Sequence, residues 1–296
     1  MTQKIGEHGF LVVDKEPGMT SHDVVAIARR ALGTRKVGHA GTLDPMATGV
    51  LVLGFNNGTR LLQYITDGDK SYQATVVLGV STVTDDFEGE VIATVDASAI
   101  TDEQINAELD TMRGTFMQRP SSVSAVKVDG ERAYDRVRSG ETVVLASREV
   151  TISQLDIVEI RRIDKRVEID IEVTCSAGTY IRAIARDCGD TLKVGGHLSA
   201  LRRTRVAGFT TTGAASIAAL KSAEFSTLDL ADVARATFPV REIALDEKLE
   251  LSFGRTLAAN PADGIYAGVS SANELIALLS NVDGKAKPIA VFAAAH

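Results

Sequence analysis

The sequence predicts a mixed α and β chain ending in a small β-rich piece, and three observations carry that expectation. Residues Val167 to Cys175 place Val, Ile, Ile and Val at every second position, the period of a half-buried strand. Segments with apolar residues at helical spacing separate some strand-like runs and not others, so strands arrive both as neighbours and across helices. After about Phe238 the texture breaks into short apolar runs separated by Gly, Pro and Asn. A chain of 296 residues is long for one domain and natural for two. Its 45% hydrophobic and 24% charged residues exclude disordered and fibrous classes.

In chain order, Phe10 to Val13 suits a short strand closed by Glu16-Pro17-Gly18. Thr20 or Ser21 offers an N-cap, with Asp23 completing a capping box from Thr20. Val24, Val25, Ile27, Ala28 and Leu32 follow at helical spacing until Gly33 stops the helix. A loop from Gly38 to Gly49, dense in Gly, Thr and Pro, leads into the apolar Val50 to Leu53. Leu61, Leu62 and Ile65 suggest a helix, and Tyr72 to Val80 alternates like a strand. Thr101 to Met112 reads as a helix with acids in its first turn, where the helix dipole favours them. Gln118 to Glu141 is basic and turn-rich. Glu149 to Ile160 and Val167 to Cys175 read as strands, Thr179 to Leu192 as a helix and His197 to Val206 as a strand. The boundary falls near residue 238, and Leu251, Phe253, Ile265, Tyr266, Val269, Ile276, Leu278, Ile289 and Val291 populate a β-rich domain over 239–296.

Composition narrows the class. Two cysteines, Cys175 and Cys188, are too few for a disulfide framework or a metal cluster and read as reduced buried thiols, so no metal is expected. The start MTQKIGEHGF has no apolar run behind a basic stretch, and no run of about 18 apolar residues occurs, so neither signal peptide nor membrane span is expected. A cytoplasmic protein follows. Aromatic residues at 5%, with no Trp, argue against a large stacking platform for single-stranded nucleic acid. The net charge of −7, taken whole, argues against a nucleic-acid partner at all.

The chemistry concentrates in the loop Gly38-His39-Ala40-Gly41-Thr42-Leu43-Asp44-Pro45-Met46-Ala47-Thr48-Gly49. Its glycines and proline fix an unusual path, and Pro45 restricts Asp44 to extended geometry, so a carboxylate is held at a definite angle. A positioned carboxylate on a rigid loop suits nucleophilic or acid/base catalysis. A turn Asp accepting backbone hydrogen bonds fits the loop as well. Lys70-Ser71-Tyr72 opens a strand and Gly178-Thr179-Tyr180-Ile181-Arg182 opens a helix, each setting a Tyr near an element end. Read singly, each ring fits a core position with its hydroxyl at the surface, and Arg182 fits a surface charge.

Read together, these blocks resemble the bacterial tRNA pseudouridine-55 synthases, the TruB family of pseudouridine synthases. GHAGTLDPMATGVL is similar to that family's catalytic motif. So are Leu11 to Ser21 (LVVDKEPGMTS), Lys70-Ser71-Tyr72, Pro120 to Lys127 (PSSVSAVK), Gly178 to Arg182 and Gly196 to Arg203 (GHLSALRR), in family order across about residues 9 to 210. One departure is the Lys15-Glu16-Pro17-Gly18 block, where the family commonly has Lys-Pro-x-Gly.

The resemblance implies an α+β fold, a mainly antiparallel sheet with flanking helices over 1–238, followed by a PUA-like RNA-binding domain. It implies uridine-to-pseudouridine isomerisation in the TΨC loop of tRNA, with no cofactor, by a monomer. Asp44 is then the catalytic group that lets uracil leave the ribose and rejoin through carbon-5. Tyr72 stacks on the uracil, Arg182 pairs with Asp44 and keeps it ionised, Tyr180 and Leu201 line the pocket, and His39 contacts the flipped nucleotide or the space it vacates. A hydrogen-bonded loop histidine also fits His39. Arg35 and Lys36, and Arg202 and Arg203, become phosphate contacts. Gln118 to Glu141, with Lys127 and Arg132, becomes an insertion that folds onto RNA and is mobile without it.

The charge then divides. Residues 84–111 hold nine acids and no Lys or Arg, whereas 176–210 hold six bases and two acids. The acidic segment is expected to lie away from the tRNA. Two other classes remain in view: a guide-RNA-directed pseudouridine synthase subunit, and an RNA-folding or RNA-binding protein whose catalysis is incidental. An aspartyl-phosphate transferase is disfavoured, because no second carboxylate follows Asp44 at two residues and no Gly loop cradles phosphate.

Overall fold

The computed structural model describes residues 6–121, 127–128, 131–132 and 145–293, with 127–128 and 131–132 described by backbone alone. Strand β1 (Gly9–Lys15) leads to helix α1 (Ser21–Ala31). The expected capping box is present: Thr20 Oγ1 accepts from Asp23 N–H, and Asp23 accepts from Thr20 N–H. Gly33 follows in the left-handed conformation, φ +64°. Then come β2 (Val37–His39), β3 (Thr48–Phe55), a 3-10 turn (Asn56–Arg60) and α2 (Leu62–Thr66). Strands β4 (Lys70–Leu78), β5 (Val80–Thr82) and β6 (Val91–Thr94) precede α3 (Asp102–Thr111). Next are β7 (Gly114–Gln118), the short β8 (Lys127–Val128) and β9 (Glu131–Arg132), and the long β10 (Arg148–Ile163) and β11 (Arg166–Cys175). Helix α4 (Ile181–Thr191) leads to β12 (Gly196–Val206), β13 (Phe209–Thr210), β14 (Ala215–Ser216), α5 (Ile217–Ser222) and α6 (Leu230–Thr237). The chain closes with β15 (Val240–Ile243), α7 (Leu245–Ser252), β16 (Leu257–Ala258), β17 (Ile265–Ser270), β18 (Leu275–Val282) and β19 (Lys285–Val291).

The chain packs as two compact units, one of Met1–Asp44, Val50–Thr66 and Ala207–His296, the other of Pro45–Gly49 and Asp67–Val206. In the second unit β12, β4, β11, β10 and β7 lie side by side, each antiparallel to the next. The alternation read at Val167, Ile169, Ile171 and Val173 buries all four side chains. Helix α4 packs on β12 and β4 through Ile181, Ala183, Ile184, Ala185 and Cys188. Gly189 and Gly196 allow that approach: a Cβ at Gly189 would lie 2.2 Å from Gly195 C, and one at Gly196 2.2 Å from Ala185 O. Burial pushes the thiols of Cys175 and Cys188 up to about 11 and about 12, and both are free.

In the first unit β1 lies between β14, to which it is parallel, and β3, whose later residues pair antiparallel with β2. Its C-terminal part holds the expected β-rich body, a sheet in the order β15-β17-β18-β19-β16 around Ile243, Tyr266, Ile276 and Leu279. Leu251 packs from α7 into this core, and Phe253 is the exposed C-cap of that helix. Among the described residues no helix is long and apolar enough to cross a membrane.

Candidate active site

The Asp44 loop divides between the two units, residues up to Asp44 in the first and Pro45–Gly49 in the second. In the first unit the capping box fixes the start of α1, and with it Ser21. The buried Ser21 hydroxyl accepts from Leu43 N–H at 2.9 Å and lies 3.2 Å from Leu43 O, to which it donates, clamping the residue before Asp44. Gly41 supplies a left-handed turn, φ +89°, and Ala40 N–H donates to Val52 O at 2.9 Å. Leu43 is buried beneath the loop, and Asp44 is half-buried. Upstream, Lys15 is buried, and its Nζ donates to Glu16 O at 3.0 Å and Met19 O at 2.7 Å. With Gly18 at φ +77° those bonds close the turn whose proline is displaced from the family pattern. His39, on β2, meets the ring of His22 edge-on at 5.6 Å between centroids.

In the second unit the far end of the loop joins a strand. Thr48 and Gly49 pair in parallel with Arg202 and Arg203 of β12, and Arg202 Nη1 donates to Thr48 Oγ1 at 3.4 Å. Gly49 sits at φ +99°, and a Cβ there would lie 2.1 Å from Arg203 O, so this register needs glycine. Tyr72 of β4 is buried opposite Arg203 on one side and Val173 on the other, and Leu201 is buried opposite Ala74. Arg203 departs from the expected phosphate contact: it is 1% exposed, and a guanidinium that deep does not face solvent. Arg205, two residues on, is held by Asp69 at 2.8 Å and Ser71 Oγ at 3.1 Å, and Arg205 holds the Asp69 carboxyl below its ordinary range.

Helix α4 presents Tyr180 as its N-cap and Arg182 in its first turn. Arg182 is buried; its Nη1 lies 3.2 Å from Asp86 Oδ2 and donates to Thr84 O at 2.6 Å. Asp86 is fixed in turn by Thr84 Oγ1 at 2.5 Å and Glu88 N–H at 3.1 Å. One helical turn later Arg186 pairs with Asp85 at 3.4 Å, so two successive carboxylates meet two arginines spaced i, i+4. Burial pushes the Asp85 carboxyl up against the pull of Arg186. The first residues of the acidic segment, Thr84 to Asp86, pack directly on a candidate site arginine. The sequence alone singles out neither Asp85 nor Asp86, because the arginines that meet them lie about 100 residues away.

Arg35 and Lys36 are exposed, ahead of β2. The Lys127 and Arg132 side chains, and most of the insertion expected over Gln118 to Glu141, lie outside the described residues. Gln118 itself is no part of a loop: it ends β7 and is buried. Among the described residues no group of three or more His, Cys, Asp or Glu is placed to hold a metal ion.

Comparison with known proteins bears on the whole length. Residues 29–181 match the family described as TruB family pseudouridylate synthase (N terminal domain). Residues 182–244 match the tRNA pseudouridylate synthase B C-terminal domain, and 238–293 match tRNA Pseudouridine synthase II, C terminal. Proteins named tRNA pseudouridine synthase B from Arthrobacter sp. (strain FB24) and Rhodococcus jostii (strain RHA1) are 52% and 50% identical, each over 96% of this chain and 96% and 93% of their own lengths. Among solved structures, a chain from an H/ACA RNP bound to a substrate RNA containing 2'-deoxyuridine aligns with TM-score 0.71 at 22% identity, covering 97% of this chain and 86% of that one. A chain of a Cbf5-Nop10-Gar1 complex aligns with TM-score 0.70 at 23% identity, covering 97% and 85%. At that identity the likeness is one of fold.

Proposed function

The chain belongs to the TruB family of pseudouridylate synthases and isomerises uridine to pseudouridine in tRNA, and we propose that it does so at position 55 of the TΨC loop with Asp44 as the catalytic group. The observation that carries this reading is the loop itself. Ser21 clamps Leu43 on one side of Asp44, and Thr48 and Gly49 are registered on β12 on the other. A backbone clamped at the residue before Asp44 limits where its carboxylate can sit before substrate arrives, which is what a positioned catalytic group requires.

A uridine stacked in a tRNA loop cannot be reached in place, so it must be extruded to react. Tyr72 offers its ring to the extruded uracil and offsets roughly 1–3 kcal/mol of lost stacking. Tyr180 and Leu201 supply further surface for the base, Arg182 a fixed positive charge, and His39 a contact to the nucleotide. Arg35, Lys36 and Arg202 contact phosphates, as do Lys127 and Arg132 in the segment that follows β7. Residues 239–296 act as a PUA-like RNA-binding domain. The isomerisation exchanges one bond to uracil for another, with no net redox change and no cofactor.

The test is to incubate purified protein with a tRNA transcript and no other RNA, then map pseudouridine at nucleotide resolution. Modification at position 55 alone supports the proposal. Modification elsewhere overturns the site assignment, and a requirement for an added guide RNA favours the guide-directed alternative.

A further inference from the structure

Strands β7 and β10 border residues 119–147, and the last residue of one faces the first of the other: Gln118 pairs with Arg148. Gln118 is 2% exposed. Its Nε2 donates to Tyr180 O at 3.1 Å, and its Oε1 accepts from Tyr180 N–H at 2.8 Å. One side chain thus holds both backbone polar groups of Tyr180, as a neighbouring strand would. Tyr180 has use for such a partner, because it caps α4 in extended geometry, φ −102° and ψ 107°, with no side-chain cap of its own.

Two further ties reach the same helix end from the same borders. The Arg148 guanidinium lies 5.0 Å from the Tyr180 ring centroid, with Nη2 3.4 Å from the phenol oxygen. Arg186, one turn after Arg182, donates to the carbonyls of Arg119 at 2.7 Å and Pro120 at 3.3 Å. The chain leaving β7 and the chain entering β10 are both fastened to the turn that carries Tyr180 and Arg182. A glutamine buried for packing alone needs partners somewhere; here both partners belong to a single candidate site residue 62 positions away.

We propose that Gln118 is a positioning residue: with Arg148 and Arg186, it makes the placement of Tyr180 and Arg182 depend on the strands that border residues 119–147. This rests on the reading above, in which Tyr180 and Arg182 serve the uridine.

Single-turnover pseudouridine formation and tRNA binding, measured on the same transcript for the wild type, Gln118→Met and Gln118→Glu, test it. A displacement of about 1 Å at a reacting centre is worth on the order of a hundredfold in rate. Gln118→Met, which keeps the shape and loses both bonds, should slow the chemical step by roughly 10- to 100-fold with tRNA affinity within about threefold. Gln118→Glu keeps the acceptor for Tyr180 N–H and should fall between; it carries the test if the Met variant does not fold. Combined with Tyr180→Ala, which removes the ring, Gln118→Met should lose less than the product of the single losses, since both act through that ring. A wild-type rate in Gln118→Met, a fall in affinity that matches the fall in rate, or strict multiplication in the double variant would overturn the proposal. Full rates in both Tyr180→Ala and Arg182→Met would instead remove the underlying assignment.

Discussion

Removing the Asp86 carboxylate is the perturbation whose consequence the structure quantifies most directly. Arg182 and Asp86 have side chains only 4% and 5% exposed and lie 3.2 Å apart. Asp86→Ala leaves the guanidinium buried beside the Thr84 carbonyl with one carboxylate fewer against it, and loss of one partner of a buried ion pair costs about 3–5 kcal/mol. At about 2–4 °C per kcal/mol for chains of a few hundred residues, the melting temperature should fall on the order of 10 °C. Asp86→Asn keeps an acceptor of the same shape and should lose less, about 1–3 kcal/mol. Replacing both groups, as Asp86→Ala with Arg182→Met, removes both ends of the pair and should lose less than the sum of the two single losses. The assay is thermal unfolding by circular dichroism, repeated in guanidinium chloride. If Asp86→Ala melts within about 1 °C of the wild type, or the double variant loses the sum of both single losses, Arg182 does not depend on Asp86 as argued.

Two other expectations concern the scaffold. Gly49→Ala adds a Cβ 2.1 Å from Arg203 O at φ +99°; overpacking and left-handed strain together should cost roughly 2–5 kcal/mol in denaturant unfolding. On the β10/β11 face, Arg161 holds Asp170 through both its Nη atoms, and Thr75 donates to Asp170 at 2.7 Å, so the Asp170 carboxyl sits below its ordinary value. A depressed carboxyl gives stability that is present above its unfolded pKa, ~3.9, and lost as pH falls through the folded one. Asp170→Asn should therefore be about 1 kcal/mol less stable than the wild type at pH 7, with the gap closing in the acid range.

Much of this was readable before any coordinates, for reasons that differ by element. The capping box at Thr20 and Asp23 is local, and local chemistry sufficed to start α1 at Ser21. The strand at Val167 buries one face, so period-2 alternation recorded it almost to the residue. Helices α5 and α6 and strand β6 left no such trace. The first two are short, and Val91 to Thr94 exposes all four residues, so no face pattern exists to read. At the candidate site, the Asp44 loop was legible because Gly41, Pro45 and Gly49 announce an unusual backbone. Asp85, Asp86 and Gln118 were not, because what buries them is charge or amide pairing with α4 from positions about 60 to 100 residues distant. Arg203 reads as a surface cation beside Arg202, yet it faces the opposite side of β12 and is buried.

Asp44 carries the proposed chemistry, and one comparison addresses it directly: single-turnover pseudouridine formation in a tRNA transcript by Asp44→Asn, with tRNA binding measured on the same preparation. Asn keeps the size of the side chain and removes the ionisable oxygen, so the rate should fall on the order of a thousandfold or more while affinity, set by phosphate contacts, stays within about threefold. A wild-type rate from Asp44→Asn would contradict the assignment of the chemistry to this loop.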